Sequence, residues 1–164
     1  ILQRGGDGPC ITHVTPGKIV DKGVTDTNNM GAAMAPAAAQ TILAHLKDTG
    51  RSPDFYDLIV TGDLGVLGSQ LLLELLEREG VSLSNHADCG KLIFDPQKQD
   101  VHCGGSGCGC CASVLAGYLL RQLEEGTWKH ILFCPTGALH SPTASLQGES
   151  IPGICHAVAI SNTK

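Results

Sequence analysis

The sequence predicts an α/β layered domain, and three observations predict it. Three apolar runs of strand length, DLIVTG at 57–62, HILFCPTG at 130–137 and ICHAVAIS at 154–161, have the character of buried strands. Stretches of helical periodicity separate them, and that alternation builds layers of helix on sheet. The third observation is composition. Of the 164 residues 42% are hydrophobic and only 16% charged, so the chain has apolar surface to bury and is not disordered. At this length it makes one domain.

The elements follow in order. Residues 10–24, CITHVTPGKIVDKGV, alternate polar and apolar on both sides of Pro16-Gly17, which predicts a β-hairpin. Thr25 to Met34 reads as a loop. Pro36 suits the first turn of a helix, AAAQTILAHLKD, with Ile42, Leu43 and Leu46 on one face and Gly50 as its stop. A second helix covers Ser69 to Glu79, with Leu72, Leu75 and Leu76 inward. Residues 81–103 read as irregular, with one short strand at Lys91–Phe94. Gly104 to Gly109 is a glycine-rich turn into a third helix, CCASVLAGYLLRQLEEG, and a Ser/Pro/Gly loop separates the last two strands. The division is an inserted β-hairpin and lead-in over 1–25, then one α/β unit over 26–164.

Charge and cysteine content exclude several classes. The balance of 11 basic and 16 acidic residues gives a net charge of −5, without the basic patch that a nucleic-acid binder needs. The longest apolar stretch, Ala112 to Leu120, is interrupted by Ser113 and Gly117 and is too short to span a bilayer. No signal peptide is visible, and a start at Ile1 reads as a fragment, so any membrane attachment is expected to be peripheral. The 8 cysteines are too few for a disulfide scaffold in a chain of this length and are read as packed, reduced thiols.

Three constellations have chemical potential. Cys108 and Cys111 form one C-x₂-C beside Cys103, Cys110 and His102, but a structural zinc site wants a second pair at ligand spacing, and the next cysteine, Cys134, stands alone in an apolar strand. Packing is the favoured reading, with a metal or redox module as the alternative. The histidines His45, His130 and His156 read as surface or core residues, while His86, Asp88, Cys89 and His102 flank the irregular region and are candidates to converge. Gly104-Gly105-Ser106-Gly107-Cys108-Gly109 matches neither nucleotide-loop pattern, yet a glycine turn feeding a helix offers backbone N–H groups to a phosphate or carboxylate. Close helix–strand packing demands the same small residues.

The segments MGAAMAPAAAQTILAHL, DLIVTGDLGVLGS, HADCG, GGSGCGC and TGALHSPTASLQGESIP, in that order, resemble the stage V sporulation AD family, a branch of the thiolase and ketoacyl-synthase superfamily. The resemblance covers the chain from Cys10 onward. It implies the C-terminal half of an αβαβα fold built from two similar α/β halves, with a mixed sheet and packed helices. It also implies that the condensing-enzyme motifs have decayed. Where such enzymes have His-Gln-Ala-Asn after the first buried strand, this chain has Gly62-Asp63-Leu64-Gly65. Where they have Gly-Asn-Thr-Ser, it has Gly105-Ser106-Gly107-Cys108. The histidine and asparagine that polarise a thioester carbonyl are thus Gly62 and Ser106, and the nucleophilic cysteine belongs to the other half.

The resemblance implies a non-catalytic protein, with no cofactor, that binds dipicolinic acid and supports its uptake into the developing spore. It would act at the spore's inner membrane as a peripheral protein, with others of its sporulation operon, in a reducing, cytoplasm-like environment. Gly62, Asp63, Asp88, Cys89, Gly105, Ser106, Gly107 and Cys108 are the expected ligand-binding residues, with no metal site. Asp63 and Asp88 oppose a dianion unless they are paired, face away, or bridge through calcium. A homo-oligomer is expected, joined through helix 112–120 and the alanine-rich helix after Pro36. The rival is an active thiolase-type acyltransferase.

Overall fold

The computed structural model describes residues 2–162. In chain order these form β1 (Cys10–Thr15), α1 (Met30–Thr49), a 3₁₀ turn (Pro53–Phe55), β2 (Leu58–Thr61), α2 (Gly65–Arg78), β3 (His86–Asp88) and the single-turn α3 (Cys89–Leu92). One continuous helical rod follows, α4 (Cys110–Val114) and α5 (Leu120–Glu124), joined by a π-helical turn at Leu115–Leu119. Then come β4 (His130–Cys134), β5 (Thr136–Ala138), α6 (Pro142–Leu146), β6 (Gly153–Cys155) and β7 (Ala157–Ser161).

Five strands make a mixed sheet in the order β1-β7-β4-β2-β3, parallel at β4-β2-β3 and antiparallel at β1-β7-β4. Successive side chains in a strand point to opposite faces, and both faces are covered. Ile59, Leu132, Cys134, Ala157 and Ala159 pack under α1 and α2. Val60, Ile131, Phe133 and Ile160 pack under the α4–α5 rod. Burial on both sides explains why the central strands read as unbroken apolar runs. Small residues let the layers approach closely. α1 crosses α2 at Gly31 and Gly68, where a Cβ added to Gly68 would lie 2.8 Å from the Gly31 Cα.

Several expectations are corrected. Residues 10–24 form no hairpin: β1 pairs along its length with β7, and Val20 instead exchanges two 2.8 Å backbone hydrogen bonds with Gly153. Alternation marks a half-buried strand without naming its partner, and Pro16-Gly17 serves as a crossing toward the small β5-β6 sheet. The first helix begins at Met30, not Pro36, because the Asn29 side chain accepts the Ala32 N–H at 3.2 Å and starts the helix before the proline. The second starts at Gly65 rather than Ser69. The strand of the irregular region is His86–Asp88, where β3 pairs with β2, while Lys91–Phe94 begins in the helical turn α3. The last apolar run divides at His156 into β6 and β7, which belong to different sheets. The alanines after Pro36 are buried within the chain, against the sheet and β6, and present no free face. Among the described residues no helix is long and apolar enough to cross a membrane.

Two histidines, His45 buried and His86 half-buried, tie the sheet to its surroundings. His45 of α1, fully buried, lies 2.8 Å from Thr15 Oγ1 through Nδ1 and 2.6 Å from the Tyr56 hydroxyl through Nε2. Burial holds its pKa below the ordinary imidazole value, reinforced by the charges of Arg51 and His13 and opposed by Asp48. His86 bonds Thr61 at 3.1 Å, and burial, with the Lys91 charge, brings it down to about 4. Both groups titrate near 6.5 in the unfolded chain, which therefore takes protons that the folded chain refuses as pH falls. Stability should be flat above pH ~7 and fall on acidification. His86 alone contributes a loss of about 3 kcal/mol by pH 4. Asp88, whose carboxyl is raised by burial, takes up its proton early and opposes this at the acid end. Urea denaturation from pH 8 to 4 checks the slope, and His45→Gln should flatten it.

Candidate functional site

The residues expected at the site do gather, at the end of β2 where the chain enters α2. Asp88 closes β3 and is fully buried. Its Oδ2 accepts the Thr61 hydroxyl at 2.6 Å and the Leu64 N–H at 3.0 Å, and Oδ1 accepts the Gly65 N–H at 3.0 Å. α2 has no capping side chain of its own, so this carboxylate from the neighbouring strand satisfies its first free donors. Burial still dominates and raises the Asp88 pKa against these hydrogen bonds.

Asp63 does the same for the glycine-rich loop. Its Oδ2 accepts the Ser106 hydroxyl at 2.9 Å and the Gly107 N–H at 3.0 Å, while Oδ1 accepts the Thr136 hydroxyl at 3.0 Å. Thr136 Oγ1 in turn accepts the Asp63 N–H at 3.0 Å. One half-buried carboxylate thus joins the β2–α2 turn, the glycine loop and the β4–β5 junction. Other N–H groups of that loop are also engaged: Gly105 donates to the Gly90 carbonyl at 2.7 Å and Gly104 to the Val101 carbonyl at 2.8 Å. The loop is an anion nest, and the anion it holds at Gly107 is Asp63.

Gly62 carries no side chain and has no room for one. A Cβ there would sit 2.6 Å from the Thr136 N, and the Gly62 carbonyl accepts the Gly90 N–H at 3.1 Å. Gly105 is equally enclosed, its missing Cβ facing the Phe94 ring at 2.8 Å. Cys89 is fully buried and its thiol pKa is pushed far up by burial, then by the Asp88 charge. Cys110 is pushed up to about 11 by burial and by the carboxylates of Asp63 and Asp88. Both stay protonated, so neither is an activated nucleophile. Cys108, in contrast, is exposed.

His86 and Asp88 meet on Thr61, while His102 is exposed and stands apart, beside Asp100 at 3.7 Å. Among the described residues no group of three His, Cys, Asp or Glu is arranged to hold a metal ion. Sequence reasoning missed Thr136, the hinge of the Asp63 network, and Thr61. A threonine just beyond an apolar strand was the available signal, but its partner is 73 residues away.

Comparisons with known proteins agree with this architecture. The sequence profile of stage V sporulation protein AD matches residues 1–161. The stage V sporulation protein AD of Bacillus subtilis (strain 168) is 48% identical over 159 residues, which cover 96% of this chain and 46% of that protein. The chain therefore spans about half the length of this relative. A solved tetronic acid condensing enzyme superposes with a TM-score of 0.57 at 14% identity, over 98% of this chain and 50% of that one. At that identity the likeness is one of fold, and the fold is the thiolase-like one of condensing enzymes. With a profile match over nearly its whole length and close to half its residues identical to a curated member, this chain belongs to the stage V sporulation protein AD family.

Proposed function

We propose that the chain is a non-catalytic, thiolase-like part of a sporulation protein that binds dipicolinic acid and supports its uptake into the developing spore. The observation that carries the non-catalytic reading is Gly62, which lies where the resemblance puts a catalytic histidine and is closed against Thr136 with no space for a side chain. Ser106, in the place of the asparagine, spends its hydroxyl on Asp63. A thioester carbonyl would meet no imidazole here, and loss of one such donor costs roughly a hundredfold or more in rate. We expect no stoichiometric burst of CoA when acyl-CoA is mixed with a family member of full length. A burst would revive the acyltransferase.

In this reading residues 62–63, 88–89 and 105–108 shape the site rather than supply its charge. Asp63 and Asp88 direct their oxygens at internal donors, which hold the two carboxylates in place without cancelling their charge. Binding with or without calcium, contact with proteins of the same sporulation operon and a peripheral place at the spore inner membrane belong to the same proposal. Calorimetric titration of dipicolinate into this chain and into a family member of full length is the test, with saturable binding expected in both. Absence of binding in both overturns the reading.

The oligomer proposed from sequence narrows to one face. The α4–α5 rod exposes Ala112, Ala116 and Tyr118, and Leu92, Ile93 and Phe94 are exposed as well. A groove lined by Leu92, Ile93, Ser113, Val114 and Tyr118 joins the rod to α3. An exposed apolar patch of this kind favours association, and we expect a dimer by light scattering at micromolar concentration that Tyr118→Glu returns to monomer. A stable wild-type monomer would sink the idea.

A further inference from the structure

Beside the glycine loop lies a hollow of about 110 Å³, lined by Lys91, His102, Gly90, Gly104, Val66 and Pro96. Its walls are fixed by backbone. Gly105 donates to the Gly90 carbonyl at 2.7 Å, and Val66 donates to the Cys103 carbonyl at 2.8 Å, which ties the 101–104 segment to both α3 and α2. Gly104 leaves no slack, since a Cβ on it would lie 3.0 Å from the Gly90 carbonyl carbon. His102 has φ of 46°, the one left-handed backbone outside glycine among the described residues. That conformation costs a non-glycine residue roughly 1–2 kcal/mol and persists only where the surroundings enforce it. His102 and Lys91 both contribute to the wall of the hollow, with the His102 side chain largely in water.

The charge at this place is uncompensated. Among the described residues no carboxylate lies within ion-pairing distance of Lys91, whereas Lys98 nearby is paired with Asp95 at 3.0 Å. The one acidic partner of His102 is Asp100, at 3.7 Å, with both side chains almost fully in water, so that pair contributes little. Val66 and Pro96 supply apolar wall. The volume is below the ~150 Å³ of a cavity that admits benzene. One carboxylate or phosphate group fits, and a ring attached to it remains outside.

We propose that the hollow between α3 and the 101–104 segment is a small-oxyanion site, in which Lys91 and His102 hold one carboxylate of an organic acid or one phosphate group. Its identification with dipicolinate rests on the function proposed above, with one carboxylate arm entering and the pyridine ring at the mouth. The glycine loop, already engaged with Asp63, then serves as the wall of the site and not as its donor.

The test is titration calorimetry on the 164-residue chain with two probes, dipicolinate and inorganic phosphate. Lys91→Met and His102→Asn are the variants, asparagine being chosen because it tolerates the left-handed backbone, and Lys98→Met is the control. Circular dichroism confirms that each is folded. The expected result is binding of both probes, weakened about tenfold or more by Lys91→Met and His102→Asn and unchanged in Lys98→Met. Phosphate binding that follows this pattern, with no dipicolinate bound, supports the site and overturns the dipicolinate reading. Absence of both probes from the wild type, undiminished affinity in the two folded variants, or an equal loss in Lys98→Met overturns the site.

Discussion

Two carboxylates placed against backbone N–H groups organise this half-fold. At the C-terminal edge of parallel strands, chains enter helices and loops whose first donors have no internal partner. Asp88 meets those of α2 and Asp63 meets that of Gly107, and together they fasten β2, β3, α2, the glycine loop and the β4–β5 junction at one point. Hydrogen bonds to a charged acceptor are worth roughly 1.5–3 kcal/mol each when formed, and more is lost when a buried partner is left alone. The arrangement is not free: burial raises the pKa of Asp88 in spite of its three donors. What is gained is a single conformation for a loop rich in glycine, which local propensity alone would leave loose.

That internal pairing is also why the sequence misleads at the site. A glycine-rich turn before a helix has the composition of an anion cradle, and the structure makes it one, but the acceptor is 44 residues earlier in the chain. Sequence distance hides such a pair. By contrast, the central strands and α2 are legible, because burial on both faces leaves unbroken apolar runs and a one-sided helix leaves a periodic stripe. Residues 10–15 show the intermediate case. Their alternation reveals a strand, yet β1 finds its partner in β7, at the far end of the chain, and a local turn at Pro16-Gly17 looked equally sufficient. The start of α1 depended on one side-chain cap, Asn29, which outweighs the proline signal downstream. His86–Asp88 is too short and too polar to be recognised before β2 is seen beside it.

The small residues have a common cause. Gly31 against Gly68, Gly62 against Thr136 and Gly90 against Gly104 are all places where backbone meets backbone or a threonine with no side chain between. Each allows the layers to close enough for the carboxylate network to span them. The same closeness leaves no room for a side chain at Gly62, whose Cβ would lie 2.6 Å from the Thr136 N.

α3 carries the last step of the argument. Lys91, Leu92 and Ile93 are consecutive, yet they serve different surfaces: Lys91 lines the hollow beside the glycine loop, while Leu92 and Ile93 line the apolar groove against the α4–α5 rod. The turn that carries them is anchored at Cys89 and Gly90, both buried, with the Gly90 N–H on the Gly62 carbonyl and its carbonyl on Gly105. A helix of one turn has little stability of its own and is positioned by those anchors. Any contact on the groove and any charge in the hollow therefore act on the same four residues, and both are referred to the Asp63–Asp88 corner through Gly62 and Gly90.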